Sequence, residues 1–518
     1  MSKFFSVGLL VLFLFLSCGS PSGWAAQTDA DILGFLEQEP VVTLSLAEAV
    51  LQALEHNLDI TVSRQTRDVR VTDILFEQAK FDPTVELTGR YDRNIAPVNR
   101  PIFGFGGVAA GDEPDNFDQN DTNVKLGFSQ KLLTGGDYDL TFDSNRNSVA
   151  GETSFLFNPS YTSSLLLNLT QPLLRDYGAD VNRTQINIAR NSAQVEHYVF
   201  VEQVLEVVAQ VEQAYWELVF SRENEKVFQS ALKAAQELLA ANQAKVQAGV
   251  LAEVEVLQAQ AGVANRVGQV LVAQKAIRDQ EDQLRRLISP SEEDLRENVV
   301  IIPLDPPVQD RDPTTMQKAV DLALRHRPEV LQAQKGIDSS NLNTKFAKNQ
   351  MLPRLAFQGS VGLRGLGVDT EDSLDRTVSG DFYNVGAGLV LSYPLGNRSA
   401  QSQYRRRQLE ETKAQASLQN VRRQVIVDAK EAVRRVQTDF KRMGTTRVAR
   451  TVNEKQLKAE QERLNLGLST TRQVLDFQRD LAIAQRNAFR AILDYNQSLS
   501  NLFRVTAVTL DRYQISLQ

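Results

Sequence analysis

Two long windows of the chain, 183–248 and 399–466, carry hydrophobic residues at every third or fourth position, as at Val201, Leu205 and Val208. This spacing places the apolar side chains on one face of an α-helix. None of the sixteen prolines of the chain lies in either window. The pattern therefore predicts two unbroken helices, each about 100 Å long at the rise of an α-helix.

A glycine follows each window, and a helical pattern then resumes over 250–288 and over 469–503. Glycine readily takes the left-handed backbone conformation that ends a helix. Gly249 and Gly467 therefore predict the turns of two long antiparallel hairpins.

A shorter helical pattern opens each half of the chain, over 45–80 and 315–350. Ser45 followed three residues later by Glu48 is a helix-start signal, because the two side chains satisfy free backbone donors of the first turn. Each short helix is expected to stack end to end on the returning arm of a hairpin. Together, the two roughly match the length of the descending arm.

Between the helices, apolar and polar residues alternate, which predicts strands with one residue set on each face of a sheet. The connections alternate between long loops and tight turns, as in strands of the bacterial outer membrane. A soluble sandwich that caps the helices is the alternative. The six predicted strands cover about 84–93, 123–133, 137–145, 163–171, 354–364 and 383–393.

The chain contains an internal repeat. The segment LAEAVLQALEHNLDI at Leu46 aligns with MQKAVDLALRHRPEV at Met316, an offset of 270, whereas Gly249 aligns with Gly467 at an offset of 218. The difference means that the first half carries an additional segment between its opening helix and its long hairpin. The predicted organisation is a first repeat over 42–288, a linker over 289–313, a second repeat over 314–505 and a tail over 506–518.

The first 25 residues have the layout of a secretory signal peptide: Lys3, an apolar run, and small residues at Gly23 and Ala25. We expect an exported protein with cleavage after Ala25. The alternative is a lipoprotein signal with lipidation at Cys18.

Composition narrows the functional classes. The chain has 57 basic and 64 acidic side chains, a net charge of −7, so it lacks the basic surplus that nucleic-acid binding requires. No segment after the signal peptide supplies the roughly 18 consecutive apolar residues of a transmembrane helix. A membrane role would then require strands.

Signals for catalysis or cofactor binding are weak. His56 and His326 are repeat equivalents near helix ends, and His197 stands alone, so no metal cluster or nucleophile–base pair is indicated. The glycine-rich stretch at Gly104 lacks the Lys-Ser/Thr pair of a phosphate-binding loop. We predict no enzyme activity, no cofactor and no metal.

The repeat, the Pro-Leu pairs that precede both long helices, and the two glycine turns followed by VEVLQAQ and RQVLDFQ resemble the TolC-like outer-membrane efflux proteins. The resemblance covers about 42–508 and implies a fold that is mainly α with membrane β. In that fold, a duplicated helix–strand–helix unit forms long antiparallel coiled hairpins, which build an α-barrel tunnel. Its strands join a shared trimeric transmembrane β-barrel.

The resemblance also implies a function and a location. The protein would be the outer-membrane channel of a tripartite efflux system, a passive duct across the outer membrane and periplasm. It would assemble as a homotrimer in outer-membrane lipid and dock on a periplasmic adaptor and an inner-membrane pump. Alternatives are the outer-membrane component of a type I protein secretion system and a non-transporting coiled-coil envelope protein.

One departure from the family is the extra hairpin of the first half, over 124–144. The family usually has two strands in each half, which makes twelve in a trimer. Six strands in each chain would make eighteen and a wider pore, unless the extra hairpin is a plug or lid. We favour the wider barrel, because both extra strands alternate cleanly.

The resemblance assigns candidate residues to the periplasmic entrance. Asp476 stands where the family has an aspartate facing the axis, Gln473 where it can have a second one, and Glu255 at the corresponding place in the first turn. A solvent-exposed helix acid is the alternative for each carboxylate. The expected adaptor-docking tips, whose glycines plain turn chemistry also explains, are Gly249, Val250, Leu251, Gly467, Leu468 and Ser469.

The two long helices differ in charge. Residues 183–248 carry 6 basic and 8 acidic side chains, whereas 401–463 carry 16 and 8. We expect complementary packing between neighbouring helices rather than a nucleic-acid face. The acidic set offered by the first long helix is Glu202, Glu206, Glu212 and Glu217.

Overall fold

The computed structural model describes residues 40–98, 115–150 and 155–516. The predicted signal peptide, Cys18 and the glycine-rich stretch at Gly104 lie outside the described residues. The strands are β1 (Val41–Leu44), β2 (Thr84–Val98), β3 (Asp115–Lys131), β4 (Asp137–Ala150), β5 (Ser160–Pro172), β6 (Val300–Pro303), β7 (Arg354–Gly367) and β8 (Tyr383–Ser392).

Helices make up most of the described chain. In chain order they are α1 (Leu46–His56), α2 (Leu58–Gln78), α3 (Ala179–Asn182), α4 (Thr184–Gln247), α5 (Glu253–Ile288), α6 (Glu292–Arg296), α7 (Met316–His326), α8 (Pro328–Asn349), α9 (Thr370–Ser379), α10 (Arg398–Asn465), α11 (Thr471–Val505) and α12 (Thr509–Arg512). Among the described helices, none is both long and apolar enough to cross a membrane.

The two long hairpins form as the apolar pattern indicates. Helix α4 has 64 residues and packs against α5, and α10 has 68 and packs against α11. Gly249 and Gly467 end the descending arms with φ of 73° and 74°, the left-handed conformation that a residue with a Cβ atom avoids. The predicted fold class is confirmed.

The single opening helices predicted over 45–80 and 315–350 are wrong, because each is broken in two. Asn57 leaves the helical conformation and caps α2, its Oδ1 accepting from the N–H groups of Asp59 and Ile60. In the second half the break at Arg327 precedes Pro328, whose ring disfavours a helical conformation in the residue before it.

The linker predicted over 289–313 contains regular structure that the sequence did not reveal. It holds α6 and β6, and β6 pairs in parallel with β1. The Tyr215 hydroxyl ties this two-stranded sheet to α4, because it lies 2.9 Å from Asp305 Oδ2 and 3.2 Å from the Leu44 carbonyl oxygen. The expected tail also contains a short helix, α12.

The other six strands form one antiparallel sheet in the order β2-β3-β4-β5-β7-β8. The extra hairpin of the first half, β3 and β4, lies inside this sheet between β2 and β5, so it is not a separate plug or lid. The strands are mostly longer than predicted, since β4 extends to Ala150 and β7 to Gly367.

Rows of paired residues give the sheet two different faces. Two apolar rows cross all six strands in register, and on the opposite face a polar row crosses five. The apolar rows are Val85-Phe128-Leu140-Leu167-Val361-Val385 and Leu87-Leu126-Phe142-Leu165-Leu363-Tyr383. The polar row is Thr88-Lys125-Asp143-Ser164-Arg364.

Helix α9, in the loop between β7 and β8, packs on one end of the sheet. The Ser163 hydroxyl donates to the Ser373 carbonyl oxygen at 2.7 Å. A Cβ atom added at Gly365 would lie 1.9 Å from that oxygen, so only glycine permits this approach.

Candidate functional site

The turns of the two hairpins lie side by side at one end of the helices. Asn242, in the last two turns of α4, is 1% exposed, and its amide donates to Thr471 Oγ1 at 2.8 Å. Thr471 is the first residue of α11, 229 positions further along the chain. The tips of both hairpins are therefore joined within one chain.

Glu255 contributes a second link between the hairpins. Its Oε2 accepts from the Thr471 N–H at 3.1 Å, which places a carboxylate at the N-terminus of α11. Free N–H groups and the helix dipole both favour negative charge there. Glu255 is thus bonded across the hairpins and does not face only solvent.

Asp476 lies one turn into α11, on a partly exposed side. Its Oδ1 is 3.0 Å from Arg479 Nη1, and its side chain is 48% exposed. The same guanidinium also contacts Asp480, at 3.3 Å. Asp476 therefore belongs to a small exposed ion-pair network at the helix start.

Gln473 and Ser469 form the local cap of α11. Gln473 Oε1 accepts from the Thr470 N–H at 3.2 Å, while Thr470 Oγ1 accepts from the Gln473 N–H, a reciprocal capping box. The Ser469 hydroxyl donates to Glu460 and lies 3.0 Å from Gln473 Oε1. These side chains hold the turn that precedes α11.

The tips expose apolar side chains. Val250 is 73% exposed and Leu468 is 66% exposed, whereas Leu251 is partly covered. Leu466, which the sequence reading missed, is also exposed, at 74%. Large apolar residues exposed together commonly mark a partner surface.

Near the tips, α4, α5 and α11 enclose a groove of about 1070 Å³. Asp476 lines it with four arginines that the sequence reading also missed. The sequence contains one sign of them, because Arg472, Arg479 and Arg486 follow one another at intervals of seven residues along α11. The four are Arg266, Arg472, Arg479 and Arg486.

The acidic residues of α4 pair with neighbouring helices, but not with the basic helix α10. Glu217 is 2.8 Å from Arg490 and Glu206 is 3.3 Å from Arg504, both on α11. Glu202 accepts from Gln332 on α8, and Glu212 from Tyr513 near the C-terminus. Complementary charges therefore meet between the neighbouring helices α4 and α11, while α10 packs on α11, α7 and α8 of the same chain.

The three histidines do not come together. His56 ends α1 and His326 ends α7, while His197 lies in α4, where burial lowers its pKa. Over residues 40–98, 115–150 and 155–516, no group of three or more His, Cys, Asp or Glu side chains could hold a metal ion.

The sequence matches the family model described as "Outer membrane efflux protein" over residues 137–289 and 319–508. No curated protein matches the chain.

Solved structures resemble the chain over most of its length. They include the CmeC outer membrane channel of Campylobacter jejuni, at 16% identity with 91% of this chain and 90% of that chain covered and a TM-score of 0.62. The outer membrane protein VceC of Vibrio cholerae matches at 16% identity, 89% and 95% coverage and a TM-score of 0.63. The MtrE outer membrane channel of Neisseria gonorrhoeae matches at 15% identity, 89% and 88% coverage and a TM-score of 0.61.

Proposed function

Because the chain belongs to the outer membrane efflux protein family, we propose that three copies of it form the exit duct of a tripartite efflux system. The protein is a passive channel of the outer membrane and extends into the periplasm; it is not an enzyme. In our proposal, the duct docks on a periplasmic adaptor and an inner-membrane pump, which supplies the energy.

The observation that carries the proposal is the six-stranded sheet. Its outer strands, β2 and β8, each have one edge without a partner among the described residues, and both strands are exposed along their length. Long unpaired edges are normally covered or paired in native proteins. Pairing β8 of one copy with β2 of the next satisfies both edges.

A closed ring of three copies contains eighteen strands, because each chain contributes six. The apolar rows would face lipid, and the row that contains Lys125 and Asp143 would face the lumen. Strands of 10 to 17 residues suffice, since a tilted transmembrane strand needs roughly 9–11. The extra hairpin thus widens the pore.

The helices supply the remaining length. At about 1.5 Å per residue, α4 and α10 each extend about 100 Å. Three copies would contribute six such hairpins to a tunnel that leads away from the membrane. We propose that its far end, formed by the tips, is the entrance.

At this entrance we assign roles to the tip residues. Asp476 of three copies would form a carboxylate ring that attracts cations, and Gln473 would hold the turn beside it. Glu255 would keep the two hairpins together in the closed state. The adaptor would dock on Gly249, Val250, Leu251, Gly467, Leu468 and Ser469, whose apolar members are exposed.

Reconstitution in a planar lipid bilayer tests the channel function. Purified protein is expected to run as a trimer on a native gel and to give stepwise conductance. Weakened entrance contacts, as in Asp476→Ala, are expected to raise the fraction of time spent open. Folded trimers with no conductance in either form would overturn the proposal and favour a structural role.

The docking role has a separate test. An adaptor from the same cell, captured by crosslinking through cysteines placed at Val250 and Leu468, is expected to contact both tips. A cysteine at Val448, exposed on α10 outside the tips, is the control. Equal crosslinking at all three positions would contradict docking on the tips.

A further inference from the structure

The groove between α4, α5 and α11 contains a buried cation without a counter-ion. Arg266 of α5 is 7% exposed, and its guanidinium donates to the neutral amide of Gln269 at 2.8 Å. Among the described residues, no carboxylate forms an ion pair with it. Burial and then the charge of Arg479 lower the pKa of Arg266.

An unpaired charge in such a place is costly, because the lost hydration is not replaced by an opposite charge. The cost is explained if the groove normally receives an anion. The groove offers no acid of its own for this purpose, since Asp476 is already bonded to Arg479 at 3.0 Å.

The rim of the groove increases the positive potential. Arg472 and Arg486 line it and form no ion pair with any residue that the structure describes. Together with Arg266 and Arg479 they outnumber the one carboxylate in the lining, Asp476. The local field therefore favours negative charge.

The floor of the groove differs from its rim. Phe220, Phe228 and Leu475 contribute apolar surface. The amide oxygens of Asn224 and Gln258 are buried there and accept no hydrogen bond from the described residues. A ligand with an apolar body and one negative group would match the apolar floor and the arginines of the groove.

We propose that this groove is a binding site for amphiphilic organic anions, with Arg266 as the group that pairs with the anion. The inference rests on the proposed function, because substrates would bind in the groove before they enter the tunnel. Asp476, which is proposed for the entrance ring, also lines this groove, but four arginines leave the lining with a positive net charge that selects anions.

The probe is anilinonaphthalene sulfonate, which combines an aromatic body, a sulfonate and an N–H donor and fluoresces when bound. Its neutral analogue phenylnaphthylamine has the same body and donor without the sulfonate. Both are titrated into purified, assembled protein. We expect the sulfonate to bind with one site per chain and more tightly than the neutral analogue.

Arg266→Gln removes the charge and keeps a polar side chain. Hydrogen bonds to charged groups contribute enough that the sulfonate should bind about tenfold or more weakly, while binding of the neutral analogue is unchanged. Arg266→Lys should restore part of the affinity. The control is Arg422→Gln, which removes an exposed arginine of α10 that does not line the groove.

Equal binding of both probes, or equal loss in the Arg266 and Arg422 variants, would overturn the anion site. If Arg266→Gln fails to assemble, Arg472→Gln and Arg486→Gln at the exposed rim provide the test. Each is expected to weaken binding of the sulfonate, by less than Arg266→Gln would, and to leave binding of the neutral analogue unchanged. Bilayer conductance of the same samples separates the channel proposal from the anion-site proposal. A trimer that conducts but does not bind the sulfonate contradicts the anion site and leaves the channel function standing.

Discussion

The carboxylate of Glu255 lies against the first turn of α11, and Asn242 holds the same turn from α4. Both contacts join residues that are more than 200 positions apart in the chain. Each contact is a single hydrogen bond, which contributes only about 1 kcal/mol, so the proposed docking partner could break both by pulling the tips apart. In the proposed channel, these two contacts would hold the entrance closed.

Glu255→Gln is expected to weaken this contact, because a neutral amide gains less from the helix dipole and from a backbone N–H. A loss of about 1 kcal/mol would shift the closed–open balance roughly fivefold towards open. Single-channel recording measures this shift. Glu253→Gln is the control, since this exposed acid in the same turn has no bond to α11; an equal effect in both variants would exclude a specific contact.

Gly365 sets the position of α9 on the sheet. In Gly365→Ala the new Cβ atom would lie 1.9 Å from the Ser373 carbonyl oxygen, so α9 must move away and release the Ser163 hydroxyl. We expect trypsin to cut at Arg376 at least several times faster. Gly388→Ala in the adjacent strand meets nothing within 4 Å. Unchanged cleavage in Gly365→Ala would show that α9 tolerates the methyl group.

At the scale of elements, β3 and β4 are inserted between β2 and β5 without disturbing the rows. Val85 pairs with Phe128, Phe128 with Leu140 and Leu140 with Leu167. An insertion of two strands leaves β2 and β5 antiparallel to each other. If β3 and β4 were removed, the apolar residues of β2 and β5 could pair directly in the same register. The hairpin is therefore a separable unit of the sheet.

Deletion of residues 115–150 is expected to give a folded trimer whose barrel has twelve strands. Barrel diameter grows roughly linearly with strand number, so it should fall to about two-thirds. Cryo-electron microscopy of the purified protein measures the diameter, and the full-length chain is the reference. A barrel of unchanged diameter would show that β3 and β4 do not contribute to the wall.

At the scale of the whole molecule, both halves use the same arrangement, in which short helices pack on a long hairpin and strands lie between them in the chain. One apolar core surrounds Tyr215 and Leu284, and a second surrounds Tyr495 and Ala429. Each core lies where a short opening helix meets a long hairpin. The outer edges of β2 and β8 have no partner among the described residues, and the proposed trimer would complete the sheet.

Much of this architecture follows from the order of residues alone. The hairpin turns at Gly249 and Gly467 and the six strands were predictable, because helical and strand periods and a left-handed glycine are local properties. The breaks at Asn57 and Arg327 were missed. The Asn57 side chain caps α2 and so interrupts the helix, and the spacing of apolar residues does not indicate such a cap. Pro328 is the first residue of α8, a position that proline often occupies, but the sequence did not show that a new helix begins there.

Only the tertiary structure decided which distant residues meet. The placement of β3 and β4 inside the sheet depends on pairing between strands, and the contact of Glu255 with Thr471 depends on how two hairpins pack. Arg266 reads as a surface residue in the sequence, yet packing of α5 against its neighbours buries it without a carboxylate. Local periodicity determined the elements, whereas register and burial arise from contacts between segments far apart in the chain.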